Sequence, residues 1–363
     1  MDAAHTPPDR YQLAEEALTE ALEQEEPEAQ ASGQTRARRL LQWMLGSREL
    51  ATLAVCILLF ALFTAGNPRY ASVNIILDIA RRLTPIALLA IGMTFLMVSG
   101  ELDISIGANF GFCSILLGQL ASEQHHDPWL SMVIVVLVGL AIGTINGLAV
   151  TLVGLPSFIA TLGMLAALRG LGNALTGGVG TYAKDTEQSF YTFMSGTLPG
   201  TRIPNSFTIM LVCLLIGALV LGKTKFGSDV YATGGNVEAA RNNGIDTRRT
   251  KLICFMLTGL LGGLTGAMQF GWVQYSPGNS GIGFELQVIA AAIIGGVGLF
   301  GGRGTVIGSF LGGVILSMLT SGLIMIGVKD YWDGVLSGLV IVATVGLDLL
   351  VRRGAARALE QAA

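Results

Sequence analysis

Residues 223–251 read KTKFGSDVYATGGNVEAARNNGIDTRRTK, a polar island between two apolar stretches, Phe207–Leu221 and Leu252–Phe270. The island carries six basic residues (Lys223, Lys225, Arg241, Arg248, Arg249, Lys251) against three acids (Asp229, Glu238, Asp246). Local rules write a short helix at its centre. Asn236 is a good N-cap, because its side-chain oxygen can satisfy a free N–H of the first turn. Glu238 then falls in that turn, where the helix dipole favours an anion. Gly244 suits the left-handed position that ends a helix. The two turns in between, Val237–Asn243, are too short to be stable alone in water, so packing must hold them. Ala239 and Ala240 offer a small face, while Glu238, Arg241 and Asn242 offer polar contacts. A solvated loop is the plain reading; the capped, small-faced helix favours a docking surface for a cytosolic partner.

Composition makes the flanking stretches membrane spans. Apolar residues are 52% of 363 and charged residues 13%, against about 25% charged in soluble domains. The chain has 49 glycines, as closely packed membrane helices require. The net charge of −3 gives no ground for a nucleic-acid partner. Cys56, Cys113, Cys213 and Cys254 lie in apolar segments at unrelated spacings, which reads as four small buried residues.

From Leu50 onward ten candidate spans follow: 50–66, 74–99, 103–121, 129–152, 156–176, 205–222, 251–273, 285–299, 304–327 and 332–351. The fold class is therefore all-α and polytopic, with about ten transmembrane helices, some broken or re-entrant. Residues 1–49 form an acidic tail, residues 50–352 the membrane domain with its loop at 223–250, and residues 353–363 a short C-terminal tail. With the N-terminus inside, inner segments hold fifteen basic residues and outer segments only Arg69, Lys184, Arg202 and Lys329. That bias places both termini and the island in the cytosol.

The second span departs from the pattern. Asp78, Arg81 and Arg82 come early in it, with Asp78 and Arg82 spaced to pair, and Pro85 interrupts the hydrogen-bond ladder. Either this helix runs from Asn74 with a kink, or it breaks at membrane depth. The following GELDISIG, residues 100–107, sets Glu101, Asp103 and Ser105 among glycines. Such acids are solvated at headgroup level or line a path. Among the few polar side chains in otherwise apolar segments, Asp103, Ser105, Asn109, Asn146 and Thr161 are the candidate path residues, with Glu285 near the outer mouth. Arg169 and Glu285 are the clear charges within later spans.

Two nucleotide motifs are rejected. GALVLGKT (217–224) and GVGLFG (296–301) match phosphate-loop and dinucleotide patterns, but neither sits in a strand–turn–helix unit. No nucleophile–base–acid set can be assembled, and no metal site is expected. Glycines 139, 143 and 147 form a packing face. SIGANFGFCSIL (105–116) and VIGSFLGGVIL (306–316) echo one another weakly.

Four blocks then converge: IGMTFLMVSGELDISIG (91–107), PSFIATLGMLAALRG (156–170), GGNVEAARNNGI (234–245) and the segment 283–313 with GGRG at 301–304. In order and over roughly residues 70–350, they resemble the membrane permease subunit of bacterial ATP-binding-cassette (ABC) importers, in the branch for ribose, xylose and related monosaccharides. Asn242–Asn243 before Gly244 and the acidic tail depart from the pattern. The resemblance implies a paired subunit of the bacterial inner membrane, not an enzyme, with separate ATPase chains and a substrate-binding protein. ATP and magnesium would sit on the ATPase, with no cofactor bound by this chain. It implies that Gly234, Gly235, Asn236, Glu238, Ala239, Ala240, Arg241, Gly244 and Ile245 contact the ATPase. Two other readings compete: a secondary transporter or channel for a small polar solute, and an ABC permease for branched-chain amino acids or nucleosides.

Overall fold

The computed structural model describes residues 48–325 together with 327, 335, 338 and 339. The expected tails 1–49 and 353–363 and the tenth span therefore fall, almost entirely, outside the described residues. Twelve helices are described: α1 Arg48–Gly66, α2 Val73–Val98, α3 Ile106–Gly118, α4 Pro128–Leu148, α5 Ser157–Thr176, α6 Ser189–Ser195, α7 Asn205–Lys223, α8 Lys225–Gly235, α9 Val237–Asn242, α10 Thr247–Val273, α11 Phe284–Ile294 and α12 Val306–Met325. Six of the described helices (α1, α4 with its extension to Val153, α5, α7, α10 and α12) are long and apolar enough to cross a membrane.

α2 is the centre of the bundle. It runs unbroken through Pro85 for 26 residues, about 39 Å of helix, so the continuous alternative and not the broken one is realised. Almost every side chain from Ile79 to Val98 is buried. Proline has no N–H to return to the Arg81 carbonyl four residues earlier, and that carbonyl is left without its helical donor. Around α2 pack α7, α10, α11 and α12.

α4 and α10 meet along most of their length. The contact is backbone on backbone: a Cβ on Gly139 would stand 2.6 Å from the Gly259 carbonyl, and one on Gly263 would stand 2.7 Å from that of Val135. Side chains cannot fit there, and small residues of this kind let membrane helices gain their dispersion contacts.

The expected 285–299 span is not a crossing helix. At the end of the bundle away from the island, β1 (Gly180–Tyr182) pairs antiparallel with β2 (Tyr275–Pro277). Past β2 the chain turns back along α3, where a Cβ on Gly111 would overlap the Ser280 carbonyl. α11 then begins, and its 11 residues rise only about 16 Å. Glu285 consequently lies level with Gly107, well below the end of α3 that meets β1 at Gly118, and not at the outer rim. The two rejected nucleotide motifs fall at the end of α7 and in the α11–α12 connection.

Candidate coupling and translocation sites

The island folds as three helices joined by caps. Thr224 caps α8, its hydroxyl accepting from Gly227 N at 3.2 Å. Asn236 ends α8 and caps α9, accepting from Ala239 N at 3.0 Å. α9 is closed by a Schellman motif: Gly244 has φ +80°, its N–H donates to the Arg241 carbonyl at 2.9 Å, and Ile245 N–H donates to that of Ala240 at 3.1 Å. Asp246 caps α10 through Arg249 N at 3.0 Å. α9 thus ends one residue before the expected Asn243. Glu238, Ala239, Arg241 and Asn242 are exposed, and Arg241 Nε donates to Thr247 Oγ1 at 2.9 Å. Ala240 is buried at 4% exposure. Its methyl faces the chain's own interior, so it anchors α9 and Ala239 supplies the outward small face.

α8 carries this helix onto the bundle. At Gly234 the place of a Cβ is taken by the Val98 carbonyl at the end of α2. That carbonyl also accepts from Gly302 N at 2.8 Å, and Gly301 and Gly302 lie against Gly234 and Gly235. Tyr231 Oη donates to the Gly304 carbonyl at 2.6 Å. Burial first, and the Glu49 carboxylate second, push the Tyr231 phenol up from its usual range. Lys251 Nζ pairs with Glu101 Oε1 at 2.6 Å. Three chain segments, 98–101, 231–235 and 298–304, therefore meet at one junction. The sequence reading missed this junction, whose only signal was the density of glycine in all three.

The path candidates occupy three places. Asp103, Ser105, Asn146 and Thr161 form a buried knot. Asp103 Oδ1 accepts from Ser105 N at 2.8 Å and from Ser105 Oγ at 2.5 Å. Asn146 Nδ2 donates to Ser105 Oγ at 2.9 Å and to Asp103 Oδ2 at 3.4 Å. Thr161 Oγ1 accepts from Ile104 N at 3.2 Å. Asp103 is 1% exposed, which overturns the solvated-acid reading of this turn. Asn109 sits higher, donating to the Gly259 carbonyl at 3.2 Å beside the α4–α10 crossing. Glu285 Oε1 pairs with Arg169 Nη2 at 2.8 Å. The pair spans 116 residues, and its sequence signal was only that each is a rare charge in an apolar stretch.

A bundle of membrane-crossing helices with an ion pair between two segments and a capped helix pair at one end is that of a polytopic integral membrane protein. The comparisons agree: the chain belongs to the family described as branched-chain amino acid transport system / permease component, whose model matches residues 75–345. It is similar to the autoinducer 2 import system permease protein LsrC of Escherichia coli (strain K12 / DH10B), 32% identical over 85% of this chain and 89% of that protein. The proteins of the same name from Photorhabdus luminescens and Salmonella typhi are each 31% identical over 85% of this chain, covering 92% and 88% of their own length. No solved structure matches. The chain is thus the multi-pass permease of an ABC-type importer, a transport subunit, and the secondary-transporter reading falls away.

Proposed function

We propose that this chain forms, with a second permease subunit, the path by which a bacterial inner-membrane importer takes up a monosaccharide or similarly hydroxylated small molecule. Separate ATPase chains dock on α9 and a binding protein delivers the solute at the opposite end. The island and both termini face the cytosol in this reading, on the fifteen-to-four bias of basic residues. The observation that carries it is the capped α9, with Glu238, Ala239 and Asn242 turned outward and its stem jammed at Gly234 against α2. A push on α9 moves the end of the central helix, because packed elements shift as discrete bodies. Gly235, Asn236, Arg241, Gly244 and Ile245 shape the same lever.

The solute class is supported by the relatives, which are named for autoinducer 2 import. The family description names branched-chain amino acids and supports the second reading. Path roles for Asp103, Ser105, Asn109, Asn146, Thr161 and Glu285 stand as a proposal beside a wall-building role, which their internal hydrogen bonds favour.

The test is import and substrate-stimulated ATP hydrolysis in reconstituted vesicles. Glu238→Lys loses about 0.3–1 kcal/mol of dipole interaction and reverses the sign shown to the partner, and Ala239→Trp blocks close approach. Gly244→Val resists the left-handed conformation. All three are expected to lose import while the assembly still copurifies. Normal import in all three would make the island a solvated loop. Labelling of a lone cysteine at position 241 from outside intact cells would refute the orientation.

A further inference from the structure

At the island's end of the bundle, the starts of α1 and α12 and the last turns of α7 enclose a cavity of about 150 Å³, with Tyr231 of α8 in its wall. Most of the lining is apolar, from Ala218, Leu221, Val306 and Ile307. The polar part is Glu49, Tyr231 and Thr305. A carboxylate among such residues is costly unless something pairs with it. Thr305 Oγ1 donates to Glu49 Oε1 at 2.5 Å, and Tyr231 Oη donates to the Gly304 carbonyl at 2.6 Å. Both hydroxyl protons are therefore spent, and no cation pairs with Glu49 among the described residues. The charge of Glu49 reaches Tyr231, whose phenol it helps push up, so ring and carboxylate share one space. A carboxylate beside an aromatic ring suits a cationic N–H donor. The volume is below the roughly 300–1,000 Å³ of pockets for whole ligands, so the cavity suits one small group of a larger molecule.

The surroundings say which molecule. Residues three and four apart share a helix face. The α7 face that lines the cavity at Ala218 and Gly222 therefore continues through Leu215 and Leu211, which are 62% and 39% exposed. α7 is long and apolar enough to cross a membrane, so this track leads from the cavity into the hydrocarbon. Lys223 and Lys225 follow Gly222, both exposed and in no ion pair among the described residues. Basic residues at such a level attract lipid phosphates.

We propose that this cavity is a lipid site, holding the ammonium of a phosphatidylethanolamine on Glu49, its phosphate at Lys223 and an acyl chain along Leu215 and Leu211. The carboxylate sets the choice of head group, because the lysines alone would favour an anionic lipid. The site is independent of the solute and needs only that α7 lies in the membrane. A lipid held there ties α7 and α12 to the α8 stem.

The test uses the copurified importer, stripped of lipid in detergent. It is titrated with dihexanoyl phosphatidylethanolamine, dihexanoyl phosphatidylglycerol or free ethanolamine, and bound molecules are counted by native mass spectrometry. The ethanolamine lipid is expected to bind at lower concentration than the glycerol lipid. Glu49→Gln keeps an oxygen for Thr305 and removes the charge. It should raise the half-occupancy concentration of the ethanolamine lipid about tenfold and leave the glycerol lipid unchanged. Gly222→Leu is the second variant. A Cβ there meets nothing within 4 Å, so the new side chain enters open space at the cavity wall, and it should weaken the ethanolamine lipid to a similar degree. Tighter binding of the glycerol lipid would reduce the lysines to a plain basic patch and overturn the site. No bound lipid, or unchanged binding in both variants, does the same. Competition by free ethanolamine at the concentration of the lipid would make the ligand a soluble amine and overturn the lipid assignment.

Discussion

The permease holds two polar clusters among its hydrophobic helices, and they are built in opposite ways. In the Asp103–Ser105–Asn146–Thr161 knot the first three side chains bond one another, Thr161 takes the Ile104 amide, and the residues are at most 1% exposed. In the Asp78–Arg81–Arg82–Ser317 wall two buried polar atoms have nothing to bond, and a cavity lies beside them. Polar residues in a membrane bundle thus do two jobs that composition alone does not separate. Where partners are used up, the group joins helices; where they are left over, as at Arg81 and Ser317, it contributes no such bond.

The comparison breaks or sharpens under substitution. The largest effect is expected at the Arg169–Glu285 pair, which shares one contact while Arg169 Nε and Glu285 Oε2 stay buried without partners. Glu285→Ala leaves a guanidinium beside an empty place, and removing one partner of a buried pair costs roughly 3–5 kcal/mol. The lower end applies because the Arg169 side chain keeps 31% of its exposure. The thermal midpoint of the solubilised protein measures it, and an unchanged midpoint would remove the pair from the committed class. Next comes Asp103→Ala, which orphans the Ser105 amide at about 1–3 kcal/mol for a buried group left unmade. Asp103→Asn keeps one oxygen acceptor and should recover most of that loss in the same measurement.

Smaller is Tyr231→Phe at the junction, which removes a single hydrogen bond to Gly304 worth about 0.5–1.5 kcal/mol. The phenol's raised pKa means the folded state holds its proton more tightly than the unfolded chain. That contribution is present below the ordinary tyrosine value of about 10 and is lost as pH rises past it. Wild-type and Tyr231→Phe stabilities should therefore differ at neutral pH and converge in strong alkali. Smallest of all is Ser317→Ala. Deleting a buried hydroxyl that bonds nothing is expected to leave stability unchanged or slightly raised. A clear loss of stability would show that Ser317 belongs with the knot, and the contrast would dissolve.

Much of this architecture was legible in the residues. Span positions followed from long apolar runs, and the α9 caps followed from Asn236 and Gly244, because capping depends on neighbours within four residues. Asp78 and Arg82 could be paired on paper for the same local reason. What stayed hidden depended on how helices rotate and approach. Whether Ala239 or Ala240 faces outward is set by which side of a two-turn helix packs. Arg169 meets Glu285 only because the 278–283 segment folds back along α3, and a glycine-rich run of that kind reads equally well as a short span. The cavity beside Asp78 takes residues from four helices, and only its α2 share, Asp78, Arg81, Arg82 and Pro85, stood out in the sequence. The three-way junction was visible only as glycine, and glycine is common throughout the chain.

The Gly302 N–H bond to the Val98 carbonyl has a use beyond holding the junction. It is a single amide shared between two segments that the lever would have to separate, so its hydrogen can exchange with solvent only when they part. Deuterium uptake at that one position, followed through the nucleotide cycle, would time the opening of the junction directly.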